Sequence, residues 1–173
     1  MPRIGNSVGT VGTKITQLLG GATSFGSGFV SDNDSKAPTI QNINGRITIK
    51  LYVGLEGNTS TTDLNDVIGD GTTAVGYIYR HVNSVGGMIF DNIKMQCIEA
   101  PTTGQADIDL WAATTVGASN SLVTDLTNDT QLIAAAGAWT IGETQENDLQ
   151  TKDLNNYYFY LTAGVAGTAA EYD

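Results

Sequence analysis

The chain has 173 residues, a length that suits one domain with an additional arm, and only 15% of them are charged, against about 25% in an average globular protein. Its formal net charge of −10 would repel nucleic-acid phosphates and anionic lipid, so we expect no nucleic-acid or membrane partner. The 21 glycines, with many Thr and Asn residues, favour turns and strands over helices. This composition predicts an all-β protein.

Residues 1–37 form a predicted extended N-terminal arm that is rich in Gly, Ser and Thr. A segment of this composition is expected to be flexible alone and to become ordered on a partner surface or a neighbouring copy. Residues 13–19 are the part of the arm in which a short helix would fit, ended by two glycines. The apolar residues expected to make the interface are Ile4, Val8, Val11, Ile15, Leu18, Phe25 and Phe29.

A β domain is predicted over residues 38–173. It begins with a strand over residues 43–53, in which apolar and polar residues alternate, as they do when side chains point to opposite faces of a sheet. Residues 54–71 are predicted to be a long polar loop. A second strand is predicted over residues 75–82.

A central hairpin is predicted over residues 87–115, GMIFDNIKMQCIEAPTTGQADIDLWAATT. Apolar residues occupy every second position from Ile93 to Cys97 and again from Ala106 to Leu110. This alternation predicts two strands with one apolar face, and it predicts that Asp107 and Asp109 face water. Because Cys97 is the chain's single cysteine, it has no intramolecular disulfide partner, and we expect it to pack as a small hydrophobic residue.

The C-terminal third is predicted to contain less regular structure. Residues 129–136 are predicted to form one or two helical turns, with Asp129 as the N-cap, and residues 138–141 a short strand. An exposed polar loop follows over residues 143–156, and residues 157–163 form the last clear strand. Five strands and two weaker ones, separated by turn-rich loops, are typical of a β-sandwich or jelly roll. The last strand has no obvious partner after it, so either the weaker strands close the sandwich or an edge is left for another chain.

Motif matches in the sequence do not predict an enzyme. Residues 5–9 match G-x-S-x-G, but no strand precedes the serine and no helix follows it, as a nucleophile elbow requires. Residues 69–74 match G-x-G-x-x-A, but a strand follows where a dinucleotide site needs a helix. His81 is the only histidine, so a structural role is expected for it. We therefore expect neither catalytic residues nor a cofactor.

Two possible ligand sites remain from the sequence. Asp63, Asp66 and Asp70 lie in the predicted polar loop and are a weak candidate for Ca²⁺, which prefers six to eight oxygen ligands; a solvated turn is the alternative. The other site is an aromatic platform for sugar stacking, although strands favour aromatic residues in any case. The platform would consist of Tyr157, Tyr158 and Tyr160.

The hairpin at residues 87–115, the AAAGAWTIG segment and the NNYYFYLTAG segment resemble small virion structural proteins of tailed bacteriophages. The resemblance covers roughly residues 40–170 and rests on the overall residue pattern and the order of the segments. It implies a β-sandwich or jelly roll, and a non-enzymatic, many-copy protein that decorates capsids or builds fibres. Such proteins would have a further strand after Asp173, which this sequence lacks.

The resemblance implies a capsid cement or decoration protein that stabilises the phage head by binding across neighbouring capsomers. Its expected partners are the major capsid protein or other virion proteins and further copies of itself. Since the N-terminus lacks the apolar core of a signal peptide, we expect assembly in the host cytoplasm and a final location in the virion. The alternatives are a phage tail or head-fibre component and a carbohydrate-binding β-sandwich module.

Overall fold

The computed structural model describes residues 21–25, 39–43, 46–71, 76–83, 89–167 and 170–172. These residues contain eleven strands and one 3-10 helix, Val123–Asp125, and all the strand pairs are antiparallel, which confirms the all-β class. The strands are β1 (Gly21–Phe25), β2 (Thr39–Ile43), β3 (Arg46–Lys50), β4 (Thr59–Ser60), β5 (Tyr79–Asn83), β6 (Ile89–Gln96), β7 (Ile108–Ala113), β8 (Thr130–Ile133), β9 (Thr144–Asp153), β10 (Tyr158–Ala163) and β11 (Ala170–Glu171).

The main sheet has five strands in the order β1-β5-β10-β7-β8. β10 lies at its centre, and we call the end where Tyr158 pairs with Ala113 the upper end and the end where Ala163 pairs with Ile108 the lower end. Beside the lower half of β10, residues 65–68 take the place of β5, since the Ile68 N–H donates to the Leu161 carbonyl at 2.9 Å. The predicted last strand is confirmed as β10. Neither predicted alternative holds for it, because β5 and β7 pair with its two edges and leave neither for another chain.

β6 and β9 form a separate two-stranded ribbon. The central hairpin prediction is therefore wrong in its pairing: both strands exist, but β6 pairs with β9 while β7 pairs with β8 and β10. The predicted polar loop over residues 143–156 is instead mostly strand. Its half-buried positions include Gln145 and Asn147. Because these residues are polar, the alternation along the strand does not appear in the hydrophobicity pattern of the sequence.

β7 is buried on both faces, unlike an ordinary half-exposed strand. Asp109 is only 3% exposed, so the prediction that it faces water is wrong. One of its oxygens, Oδ1, accepts the Ala135 N–H at 2.7 Å, and Oδ2 accepts Gln131 Nε2 at 2.6 Å. These hydrogen bonds offset the free-energy cost of burying the carboxylate.

The predicted helical turns at residues 129–136 are also wrong, because Thr130–Ile133 form β8 and pair with β7. Residues 138–141 are not a strand. Trp139 is buried there instead, and its Nε1 donates to the Ile108 carbonyl at 2.8 Å. Tertiary pairing with an exposed edge of β7 overrides the weak helical preference of this alanine-rich segment.

The predicted polar loop over residues 54–71 contributes to the core, which corrects that prediction. Val67 and Ile68 in it are fully buried. β4 lies in the same segment and pairs with β11 near the C-terminus. The buried Tyr172 follows β11, and its backbone N–H donates to the Asn58 carbonyl at 2.8 Å. The loop is therefore held by backbone pairing that composition does not reveal.

The hydrophobic core lies on both faces of the main sheet. On one face, Phe159 of β10 packs against Tyr79 and against Phe90 of the ribbon, with ring centroids 5.4 Å and 5.5 Å apart. On the other face, Tyr160 of β10 packs in a smaller cluster with Val67 and Val123. Alternation along β10 thus supplies both cores from one strand.

The start of the chain differs from its prediction in one described place. The predicted strand over residues 43–53 is a hairpin of β2 and β3 in which Ile43 pairs with Arg46. Of the predicted arm, the structure describes residues 21–25, which form β1 and pair with β5. Phe25 stands opposite Tyr79 in that pair. The other predicted interface residues lie outside the described residues: Ile4, Val8, Val11, Ile15, Leu18 and Phe29.

Candidate functional site

Exposed apolar side chains gather at the lower end of the molecule. Large apolar residues are exposed at six described positions, and four of the six belong to loops at this end. Their exposed fractions range from 44% to 73%, so each could lose a large area to a partner. We call these four residues the apolar end: Leu64 (48%), Ile98 (60%), Ile141 (73%) and Val165 (44%).

Backbone hydrogen bonds place the apolar end. The Asn65 N–H donates to the Ala163 carbonyl at 2.9 Å, which sets Leu64 beside the loop that carries Val165. The Gly142 N–H donates to the Cys97 carbonyl at 2.9 Å and joins the loops of Ile141 and Ile98.

A third contact fixes this pair of loops to the main sheet. The Trp139 N–H donates to the Ala106 carbonyl at 2.9 Å, just below the start of β7. The four side chains therefore share one end of the molecule, although they come from four separate loops.

The segment that precedes β1 joins the domain at the opposite end. Gly21 pairs with Asn83, and Arg80 of the same strand pairs with Tyr158 at the upper end of β10. Gly21 therefore lies beyond the upper end, because β5 continues upward from Arg80 to Asn83. The remaining two exposed large apolar residues, Ile89 and Val116, are also at this end.

The two outer edges of the main sheet differ in whether side chains cover their backbone groups. Along the outer edge of β8, Asn147 Nδ2 donates to the Leu132 carbonyl at 2.5 Å. The Gln145 amide, oriented to satisfy both of its groups, donates to the Ala134 carbonyl at 2.7 Å and accepts the Ala136 N–H at 3.2 Å. These side chains from β9 occupy backbone groups that another strand would need. No described strand pairs with the outer edge of β1.

The three tyrosines of the proposed sugar platform do not share an exposed surface. Tyr160 is fully buried, and its hydroxyl accepts the Gly117 N–H and donates to the Thr115 carbonyl, both at 2.9 Å. Burial raises the pKa of Tyr160 to about 12. Tyr157 packs against the main core.

Tyr158 is on the other face of the main sheet from that core and is engaged by two neighbours. Its ring contacts Tyr77 edge-on at 5.0 Å and lies beneath the Arg80 guanidinium at 4.3 Å. The interpretation of these aromatic residues as core and packing residues therefore fits the geometry better than a stacking platform does.

The candidate Ca²⁺ residues do not form a metal cluster. Asp66 is buried, and its Oδ2 accepts the Thr61 N–H at 2.5 Å. Burial raises the pKa of Asp66, with the nearby Asp63 charge acting in the same direction. Within the described ranges, no three acidic, histidine or cysteine side chains are grouped in a way that could hold a metal ion. Asp66 instead stabilises the loop conformation through its hydrogen bond with Thr61.

The other residues singled out by sequence lie in strands or close to strand ends. His81 lies in β5, opposite Thr23 of β1. Cys97 is a free, half-buried thiol that packs against the main core, as predicted. Burial raises the pKa of Cys97, and the Glu143 charge adds to the effect. Gly69 and Gly71 follow the buried Ile68, so the G-x-G match belongs to a packed turn.

The apolar end is not predicted from the sequence, because its residues lie in loops without periodicity. Only a weak sequence signal for these exposed residues exists: Ile98 follows the alternating series of β6, and Ile141 follows a buried tryptophan. Comparison of the chain with protein-family models, curated proteins and solved structures gave no match. No helix within the described ranges has the length and apolar character needed to cross a bilayer.

Proposed function

We propose that the chain is a non-enzymatic structural protein of a tailed-bacteriophage virion, of the capsid cement or decoration type. In this role it binds across neighbouring capsomers, with the major capsid protein or other virion proteins and further copies of itself as partners. The observation that carries the proposal is the separation of two surfaces. The apolar end lies at the lower end, and the segment before Gly21 joins the domain at the upper end.

A protein that bridges two capsomers needs two contact regions that do not compete for one site. Exposed apolar residues supply contact energy, since fully burying one large aliphatic side chain is worth about 1.5–3 kcal/mol. An arm adds area, although ordering it lowers the affinity per unit of surface. The net charge of −10 suits a basic partner surface and keeps free copies soluble.

We also propose a β-sandwich of the jelly-roll type as the finer fold. Contact between Phe90 of the β6/β9 ribbon and Phe159 of the main sheet supports this, because it joins two layers through a shared apolar core. Polar residues on the outer face of the ribbon fit its role as an outer layer: Asn92 Nδ2 donates to Glu146 Oε1 at 2.5 Å there.

Copy number is the first test of the proposal. Quantitative mass spectrometry of purified virions should give a ratio to the major capsid protein near one or near a simple fraction of one. A handful of copies per particle would assign the chain to the tail or a fibre instead. Absence from the particle would overturn the virion proposal altogether.

A binding assay tests the two surfaces separately. Shells that lack the protein are mixed with wild-type chain, with a chain lacking residues 2–20, and with the Ile98→Ser/Ile141→Ser double variant. The deletion stops before β1, so the main sheet keeps all its strands. We expect each change to reduce shell binding at least tenfold.

The matched control is Ile89→Ser, which makes the same chemical change at a residue that is 62% exposed but lies at the upper end. This variant should bind shells as the wild type does if the apolar end makes the contact. Equal binding by the double variant and the wild type would exclude the apolar end from the interface.

A further inference from the structure

Two carboxylates converge over a glycine at the lower end of the main sheet. Asp107 and Asp109 are two residues apart, at the start of β7, and their side chains therefore point to the same face. Directly across, Gly164 follows β10, and its N–H donates to the Asp107 carbonyl at 2.8 Å. A Cβ on Gly164 would overlap Asp107 Oδ1 and would lie 2.9 Å from Asp109 Oδ1.

Because Gly164 has no side chain, the two acid oxygens can approach its backbone closely. Because both Oδ1 atoms lie within 3 Å of one point, they are close enough for a single ion to touch both. We call this space the acidic notch, defined by Asp107, Asp109, Gly164 and Thr162.

Thr162 supplies an independent sign that the notch accepts a ligand. It is fully buried, stands opposite Asp109 in the β7/β10 pair, and its Oγ1 makes no hydrogen bond within the described chain. On its other side it pairs with the apolar Val67, so Asp109 is the polar neighbour across the sheet. Asp107 Oδ1 is likewise buried without a hydrogen bond. Buried polar atoms of this kind need a partner.

We propose that the acidic notch binds a divalent cation of the hard, oxygen-preferring class, and that Ca²⁺ is the cation that fits it best. The protein ligands are Asp107 Oδ1, Asp109 Oδ1 and the Thr162 hydroxyl. Ca²⁺ accepts carboxylate and neutral oxygens in flexible arrangements, whereas Mg²⁺ demands near-ideal octahedral geometry. Asp107 is half-buried as a residue although its Oδ1 is enclosed, so the notch lies just beneath the surface.

The surroundings of Asp109 favour a bound cation over a shared proton. Both of its oxygens already accept N–H groups, from Ala135 and from Gln131 Nε2, as an ionised carboxylate does. Burial and the Asp109 charge raise the pKa of Asp107. A cation between the two carboxylates would remove that repulsion and supply a partner for Thr162. This site is separate from the Asp63, Asp66 and Asp70 candidate, and it does not depend on the proposed virion role.

The test uses the full chain, stripped of cations with a chelator and returned to chelator-free buffer at pH 7.5. Isothermal titration with CaCl₂ should show one site per chain, and CaCl₂ should raise the melting temperature. Asp107→Asn should weaken Ca²⁺ binding at least tenfold. Thr162→Val, which keeps the shape and removes the hydroxyl, should weaken it by a smaller factor.

The matched control is Asp63→Asn, which makes the same chemical change at an exposed carboxylate in the loop that sequence analysis favoured. It should bind Ca²⁺ as the wild type does. Terbium luminescence gives a second measurement, because Trp111 follows Asp109 by two positions on the same strand face and should sensitise a bound ion. Trp111→Phe should reduce the emission and leave the Ca²⁺ affinity unchanged.

Several results would overturn the proposal. One is the absence of both binding heat and stabilisation at millimolar CaCl₂. Another is equal Ca²⁺ binding by the wild type and Asp107→Asn. A wild type that does not respond to CaCl₂ while Asp107→Asn melts higher at pH 7.5 would also overturn it, because the carboxyl group of Asp107 would then destabilise the fold with no cation to offset it. Equal affinity for MgCl₂ would support a cation site but overturn the preference for Ca²⁺.

Discussion

β6 and β7 look like two arms of one hairpin in the sequence, yet they belong to different parts of the fold. β6 is alternately exposed and half-buried along its length and forms the outer ribbon with β9. β7 is buried at almost every position and lies inside the main sheet. The same period of two thus describes a strand with one apolar face and a strand with two buried faces.

The difference shows that alternation predicts a strand but does not predict its partner. Asp107 and Asp109 create the polar half of the β7 pattern, but Asp109 is buried with hydrogen-bond partners. A buried, satisfied carboxylate looks the same as a solvated one in sequence. Substitutions in β7 and in β6 should therefore differ in their effect on the free energy of unfolding.

The largest effect is expected from truncating matched aliphatic residues in the two strands. Leu110 of β7 is 4% exposed, so Leu110→Ala should cost about 2–5 kcal/mol of unfolding free energy. Ile93 of β6 is half-buried, so Ile93→Ala should cost roughly 1 kcal/mol. Urea denaturation of both variants measures the difference. Equal losses would mean that the ribbon is as tightly packed as the main sheet.

A smaller effect is expected where the ribbon caps the main sheet. Asn147→Ala removes the donor to the Leu132 carbonyl on the β8 edge and should cost about 1–2 kcal/mol, the usual cost of leaving a buried acceptor unpaired. Gln96→Ala, an exposed change in the same ribbon, is the control and should stay within about 0.5 kcal/mol. If both variants unfold at the same urea concentration, the cap contributes nothing to stability.

The smallest effects concern carboxyl groups in the two regions, followed by carbon-13 NMR in cation-free buffer. Asp107 of the main sheet should titrate above its ordinary value of 3.8 because of burial and the Asp109 charge. Glu143 beside the ribbon should titrate below 4.5, since its carboxylate accepts the Thr140 N–H at 3.0 Å and the Thr140 hydroxyl at 3.1 Å.

The two groups should therefore change stability in opposite directions with pH. A raised acid pKa means that the folded state keeps its proton longer, so the contribution of Asp107 is lost as pH rises through the folded pKa. A lowered pKa means that the contribution of Glu143 is lost as pH falls through its folded pKa. Titration of both groups at their ordinary values would contradict the difference in environment.

Strands whose patterns are dominated by apolar residues could be predicted from the sequence. The all-β class and the strand over residues 157–163 are confirmed, because β-branched and aromatic residues bounded by turn residues are a strong local signal. β9 and β8 were not predicted, since Asn147 and Gln145 occupy half-buried positions and an alanine-rich segment suggests a helix. In both cases long-range pairing decides the structure.

The candidate sites were less predictable than the strands. The apolar end combines four loops, and the acidic notch needs Gly164 to stand opposite Asp107, which only the β7/β10 register establishes. Asp63, Asp66 and Asp70 are close in sequence and were therefore easy to single out, yet they are not grouped as metal ligands. Sites built across strands remain invisible until the pairing is known.

The central position of β10 has a consequence for how the protein is made. Ribosomes release the chain from the N-terminus, so β5 and β7 emerge well before residues 158–163, which must lie between them. β5 can pair with β1 and β7 with β8 before then, but neither can pair with β10, and the main sheet closes only after Ala163 has emerged. Such non-local pairing folds slowly and leaves strand edges open to aggregation in the meantime. Expression at low temperature should therefore increase the soluble yield, because hydrophobic association weakens on cooling.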